Sequence, residues 1–279
     1  MKIACAVLCF NRPDYLKQTL DSLMSAKESN SFDWWIFQDG IINDVSGHVY
    51  TEKEEHDEVT KLAKEVNFPN KRFVKQLYNL APARLRYIIY HRIFECSDYD
   101  AVFVFEDDMI VGKDYLVLLR KMMNQFPNHI GILYTEKSVK NPQKKLSFLK
   151  EIVSARLWGH YMTRATWDKI KKDYKKYYES MCKIDYHQRR NPDHAVRENM
   201  PDEAPWVMDD VIVNRLCEKY GVLKLRPLVS RAKYIGKFGM VAFKNPGYFE
   251  ENVGTQSDVL QYPEDSKLKK FYIEGSKNG

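Results

Sequence analysis

Ala101-Val-Phe-Val-Phe105 runs without a polar break into three adjacent acids, Glu106, Asp107 and Asp108, and the apolar pattern resumes at Met109-Ile-Val111. A continuous apolar run of this kind predicts a strand buried on both faces, as in a parallel sheet covered by helices on each side. Ionised carboxylates are not stable inside such a core, so the acids are expected where the strand leaves the sheet. Ile3 to Phe10 and Trp34 to Phe37 repeat the design, ending in Asn11-Arg12-Pro13-Asp14 and in Gln38-Asp39-Gly40. Three apolar bodies with polar tips predict one sheet edge on which the tips converge, the edge where open α/β folds hold their ligands.

Between these runs the spacing turns helical. Tyr15, Leu16, Thr19, Leu20, Leu23 and Met24 follow the first strand, and Leu85, Ile88, Ile89 and Ile93 lead into the acidic one. Tyr115, Leu118, Leu119, Met122, Met123 and Phe126 come after it, with Asp114 in the position of an N-cap. Charged residues 52–66 predict a solvated helix and 165–181 a further one. Short strands are expected at 71–77, 130–134, 157–163 and 222–225. Residues 135–150 and 189–205 read as loops, and the stretch from Lys244 as a tail on the surface. Near the end of the chain, Asp209-Asp210 opens the apolar helical pattern Val211 to Cys217, which places both carboxylates at a helix N-terminus.

Composition narrows the class. The 279 residues are 44% hydrophobic, enough for a large single core, and carry a formal charge of +6 that admits an anionic substrate. The five cysteines form no CxxC pair, the seven histidines show no metal-binding spacing, and there is no membrane-length apolar window or signal-type segment. The expectation is a cytoplasmic enzyme, in a bacterial or virus-infected cell. Neither GxxxxGK[ST] nor GxGxxG occurs, which argues against a P-loop kinase or a dehydrogenase. Adjacent acids repel unless a cation holds them together, so the acidic tip predicts a site for a hard divalent metal. The bland alternative is that the acids cap the next helix or face solvent, and that Asp209-Asp210 is only an N-cap pair.

Taken together and in order, these stretches resemble GT-A glycosyltransferases, and within them the N-acetylglucosaminyltransferase I group. Asn11-Arg12 is similar to that family's first nucleotide-binding loop, and Gln38-Asp39 to the strand tip whose aspartate binds uracil. Glu106-Asp107-Asp108 resembles its form of the DxD motif, whose last aspartate binds manganese. Asp209-Asp210 resembles the acidic pair that supplies the catalytic base. Arg226-Pro-Leu-Val-Ser230-Arg231 with Lys237-Phe-Gly239 resembles the late loop over the diphosphate. Arg84 stands where the family has a histidine, the eukaryotic members' membrane anchor has no equivalent, and residues 181–205 have no counterpart.

The resemblance implies a Rossmann-like GT-A domain over 1–243, with a nucleotide-sugar half (1–134) and an acceptor half (135–243), followed by an extension over 244–279. It implies an inverting transfer from a UDP-sugar, UDP-GlcNAc or UDP-glucose, with Mn2+ or Mg2+ as cofactor. Asp108 would hold the metal, Glu106 a sugar hydroxyl, and Arg84, Arg231 or Lys237 the diphosphate. Asn11, Arg12, Asp39, Asp107 and Ser230 complete the donor side, and Trp206 is the candidate for stacking on a sugar. The acceptor would be a hydroxyl of a glycan, lipid or protein. Alternatively it is a hydroxylated base in viral DNA, to which Lys137, Lys140, Lys144, Lys145, Lys169, Lys171, Lys172, Lys175, Lys176, Arg189 and Arg190 offer positive charge. Two other readings are a metal-dependent nucleotidyltransferase and a non-catalytic nucleotide-sugar binding protein.

Overall fold

The computed structural model describes residues 1–136, 139–152, 156–186, 209–237 and 256–274. Its centre is a nine-stranded sheet in the order β11-β7-β9-β6-β8-β4-β1-β2-β3. The first four strands to form it are β1 (Ile3–Cys9), β2 (Asp33–Gln38), β3 (Arg72–Lys75) and β4 (Ala101–Glu106), all parallel to one another. On the far side of β4 lie β8 (His160–Thr163), antiparallel to both β4 and β6 (Ile130–Ile132), then β9 (Lys224–Pro227), β7 (Phe148–Glu151) and β11 (Tyr272–Ile273). Five of the eight pairings are parallel, so the sheet is mixed and mostly parallel, as the apolar runs predict.

Helices α1 (Pro13–Ser25), α2 (Lys53–Glu65), α3 (Ala81–Phe94), α4 (Tyr115–Gln125), α5 (Arg164–Met181) and α6 (Asp209–Lys219) flank it. Ala4 to Cys9, Trp34 to Phe37 and Ala101 to Phe105 are buried throughout, the burial expected of strands covered on both faces. Among the described residues no helix is long and apolar enough to cross a membrane.

Register fixes the edge that matters. Leu8 pairs with Glu106 and Cys9 with Gln38, so the carboxyl ends of β1, β2 and β4 finish side by side. The chain turns at Asp107-Asp108 and continues as β5 (Met109–Val111). This strand leaves the main sheet and pairs antiparallel with β10 (Ala232–Tyr234). The stretch 101–111 is therefore two strands broken at the acids: carboxylates cannot occupy the interior of a sheet, and the turn carries them out of it.

Two expectations about the periphery need correction. The loop expected over 135–150 contains β7, and the tail supplies β11, the edge strand beside it; Leu149 is the one fully buried residue of β7. Asp114 does stand at the N-cap position of α4, but its side chain makes no capping bond and pairs with Lys27 at 2.8 Å. The expected domain boundary at 243/244 falls outside the described residues.

Candidate functional site

Arg12 occupies the N-cap position of α1 without capping it. Its side chain reaches across the edge instead, forming an ion pair with Asp107 and a second with Asp108 Oδ2 at 2.8 Å. The turn that presents the acids is pinned by α1. The Thr19 hydroxyl donates to the Asp107 carbonyl (2.8 Å) and accepts from the Met109 N–H (3.1 Å). On the opposite side, the chain after β10 closes on Asp108. The Ile235 N–H donates to the Asp108 carbonyl (2.8 Å), and the buried Tyr234 hydroxyl hydrogen-bonds the carboxylate. Burial, then the Asp108 charge, pushes the Tyr234 phenol well above its usual range. Gly236 permits this closure, since a Cβ there would overlap both Asp108 Oδ2 and the Tyr234 hydroxyl.

Two carboxylate oxygens remain open in this cradle. Asp107 Oδ2 and Asp108 Oδ1 are buried with no hydrogen-bond partner among the described residues. Buried acceptors of this kind are rare and demand a reason. Burial, and the repulsion of Asp108, raise the Asp107 carboxyl, while Arg12 opposes the shift. The open oxygens suit a hard cation. No cluster of three or more His, Cys, Asp or Glu side chains arranged to hold a metal occurs among the described residues. A cation at Asp108 would therefore need further ligands from beyond the described residues.

Across the edge stands an arrangement that the sequence reading missed. Arg86, on α3, is 1% exposed in its side chain; it lies 2.6 Å from Glu106 Oε1 and 3.6 Å from Asp210 Oδ1. Glu106 and Asp210 are themselves 25% and 22% exposed, so the guanidinium lies behind two acids that face outward. Arg84, the residue expected here, pairs with both oxygens of Asp44 (2.6 and 2.7 Å). Successive helical residues are rotated by about 100°, so positions 84 and 86 point to nearly opposite sides. The signal was present: Arg86 shares a stripe with Tyr90 and Ile93, both fully buried, and a charge on a buried stripe requires a partner.

Other expected residues have different surroundings. Asp39 is buried at the start of α3, where its carboxylate accepts from the N–H groups of Gly40 (3.0 Å), Leu80 (2.7 Å) and Ala81 (2.8 Å). Ala81 takes a left-handed backbone, φ 55°, held by that bond. Arg231 is enclosed with Asp265, and Ser230 bonds within its own turn to Ala232 and to the Thr135 N–H. Neither Arg231 nor Ser230 reaches the acidic turn by any contact seen here, because burial commits their polar atoms to the fold. Asn11 donates to Thr51 (2.9 Å), and Lys237 follows directly on the segment that covers Asp108.

Asp209 begins α6; its side chain and Trp206 lie outside the described residues, as do Lys137, Arg189 and Arg190. On α5, Lys171, Lys175 and Lys176 pair with Asp168, Glu179 and Asp173, the i,i+3 and i,i+4 pairs of a solvated helix.

No family model and no curated protein matches the sequence. Solved structures similar to the chain include that of S. aureus TarS 1-349, at 12% identity and a TM-score of 0.42, covering 65% of this chain and 55% of that one. The structure of S. aureus TarS 1-349 in complex with UDP-GlcNAc matches at 14% and 0.40, covering 60% of this chain and 47% of that one. This chain thus spans about half the length of the structures it matches. Values this low assign neither a family nor an activity.

Proposed function

We propose that the chain is a metal-assisted, inverting glycosyltransferase that uses a nucleoside diphosphate sugar, UDP-GlcNAc or UDP-glucose, as donor. The observation that carries this reading is the pair of buried, open oxygens on Asp107 and Asp108 at the carboxyl edge of the parallel strands, next to Glu106, which Arg86 links to Asp210. An acid that holds a cation and a second acid that takes a proton are the minimum set for displacing a diphosphate by a hydroxyl.

In this reading Asp108 holds the divalent cation, Mn2+ or Mg2+, which when bound supplies positive charge against the negative charge developing on the leaving diphosphate. Arg12 and Lys237 flank that position and add cationic character. Glu106, held by Arg86, accepts a hydrogen bond from a hydroxyl of the donor sugar. An acceptor O–H is oriented by Asp210, with Asp209 as the alternative, and its proton passes to that carboxylate as its oxygen bonds the anomeric carbon. The bond from that carbon to the diphosphate oxygen breaks in the same step, and UDP leaves with the electron pair. Attack opposite the leaving group inverts the anomeric centre. Asp39, Arg84, Ser230 and Arg231 are assigned to the scaffold rather than to the donor.

The test uses water as acceptor. Protein incubated with Mn2+ and UDP-GlcNAc or UDP-glucose is expected to release UDP slowly, and Asp108→Asn to lower that rate at least a hundredfold. Release of pyrophosphate from a nucleoside triphosphate, with no UDP from either sugar nucleotide, would replace this reading with nucleotidyl transfer. Full UDP release by Asp108→Asn would also overturn it.

A further inference from the structure

Arg86 is the least accessible charge near the proposed site, and its place in the fold is unusual. It projects from the middle of α3, a helix in which Ala83 to Tyr87 are buried without interruption. Burying a guanidinium is unfavourable by several kcal/mol unless carboxylates accompany it. The accompanying acids come from two other elements: Glu106 from the tip of the central strand β4, and Asp210 from the first turn of α6. His160, which lies on the same side, does not compete for the charge. Burial first, then the positive charge of Arg86, pushes its imidazole down to about 3, and its ring nitrogens meet the Leu157 carbonyl (2.8 Å) and the Tyr90 hydroxyl (2.6 Å).

The geometry points to Arg86 as the positioning residue of the transfer step: one guanidinium sets the separation between the acid that meets the donor sugar and the acid that faces the acceptor. The inference rests on the function proposed above, which assigned Glu106 and Asp210 those tasks without needing a shared partner. Both acids expose about a quarter of their side chains, 25% and 22%, while the cation behind them is closed to solvent. A substrate would therefore meet the carboxylates and not Arg86. Without the guanidinium, two neighbouring negative charges lose their common anchor and move apart. A base displaced by about 1 Å loses alignment with the acceptor O–H, which is worth on the order of a hundredfold in rate. Ground-state binding of UDP, which depends on Arg12, Asp108 and the strand tips, is left in place. A lysine reaches one acid at a time and is expected to restore part of the loss, since an ammonium lacks the planar fork that spans two partners.

The experiment compares wild type, Arg86→Met and Arg86→Lys in the presence of Mn2+, with whichever of UDP-GlcNAc and UDP-glucose wild type hydrolyses. Expected is a fall of at least thirtyfold in kcat for Arg86→Met, with the Kd for UDP and the KM within threefold of wild type, and at least a threefold recovery in Arg86→Lys. The fraction of protein able to bind UDP, from calorimetric stoichiometry, corrects kcat for misfolded material. A corrected kcat near that of wild type overturns the proposal, as does equal loss in the Met and Lys variants. If wild type neither binds UDP nor hydrolyses a sugar nucleotide, it is the function that has failed. The pairing itself is then read from a double-mutant cycle of Arg86→Met and Asp210→Asn on unfolding. Non-additive losses support the shared anchor, and additive ones overturn it.

Discussion

Two of the arginine–carboxylate clusters, Arg231 with Asp265 and Arg12 with Asp107 and Asp108, are built to opposite plans. Arg231 and Asp265 are 1% and 0% exposed, and every contact closes on the pair. The guanidinium donates to both Asp265 oxygens (3.2 and 2.6 Å) and to the carbonyls of Val229 (2.5 Å) and Leu146 (3.0 Å), with its face over the Tyr262 ring. Arg12, by contrast, is 24% exposed and joins two acids, each of which keeps a buried oxygen without a hydrogen-bond partner among the described residues. The first cluster is complete, and it fastens the C-terminal segment to the body. The second sets one guanidinium against two carboxylates and, among the described residues, is short of hydrogen bonds. A completed buried pair holds a fold together; an incomplete one has acceptors to spare for another group.

The largest effect is expected where the contrast is starkest. Asp265→Ala leaves a buried guanidinium with no counter-charge, and breaking such a pair typically destabilises by about 3–5 kcal/mol. Urea unfolding should show that loss, with the Mn2+ affinity of the folded protein unchanged. A change in Mn2+ affinity would mean that the two clusters are not separate. Arg12→Gln is expected to do the reverse. It removes a positive charge from contact with Asp108, so Mn2+ should bind about tenfold more tightly in the absence of nucleotide, a difference of about 1.4 kcal/mol. Electron paramagnetic resonance of free Mn2+ reads this directly. Unchanged or weaker binding would show that the open oxygens do not belong to a cation site.

The contrast also explains what could be read from the sequence. The central strands were legible because their apolar runs are long, and the acidic turn because carboxylates must leave a sheet at its end. Asp107 and Asp108 were therefore placed correctly, at the edge where β1, β2 and β4 finish together. Residues whose role depends on a distant partner were not legible. Arg231 stands beside residues that resemble a diphosphate loop, yet its partner lies 34 residues away in a segment expected to be a surface tail. Arg84 and Arg86 differ only in the helical face they occupy. A stripe drawn through Leu85, Ile89 and Ile93 does not distinguish them, whereas one drawn through Tyr90 and Ile93 does. β7 and the edge strand β11 escaped because they are short with few inward positions, and their pairing is made by the backbone.

Asp39 tests the same rule on a smaller scale, because its carboxylate is saturated by N–H groups rather than by a cation. Burial holds the group up at about 7, against the pull of the Leu80, Gly40 and Ala81 donors and then of the Arg84 charge. An unfolded chain loses this proton near 3.8. Between those values the folded protein binds more protons than the unfolded one, so the contribution of Asp39 to stability declines as pH rises and levels off above 7. The slope is at most about 1.4 kcal/mol per pH unit. Asn at this position cannot titrate, so wild type minus Asp39→Asn isolates the group from every other. Unfolding measured from pH 4 to 8 should show wild type losing ground to the variant through that window, by about 1 kcal/mol per unit. A constant difference would mean that the three N–H donors and the start of α3 keep the carboxylate ionised throughout. Asp39 would then join Asp265 as a charge compensated by the fold, in contrast to the Arg12 cluster with its two open oxygens on Asp107 and Asp108.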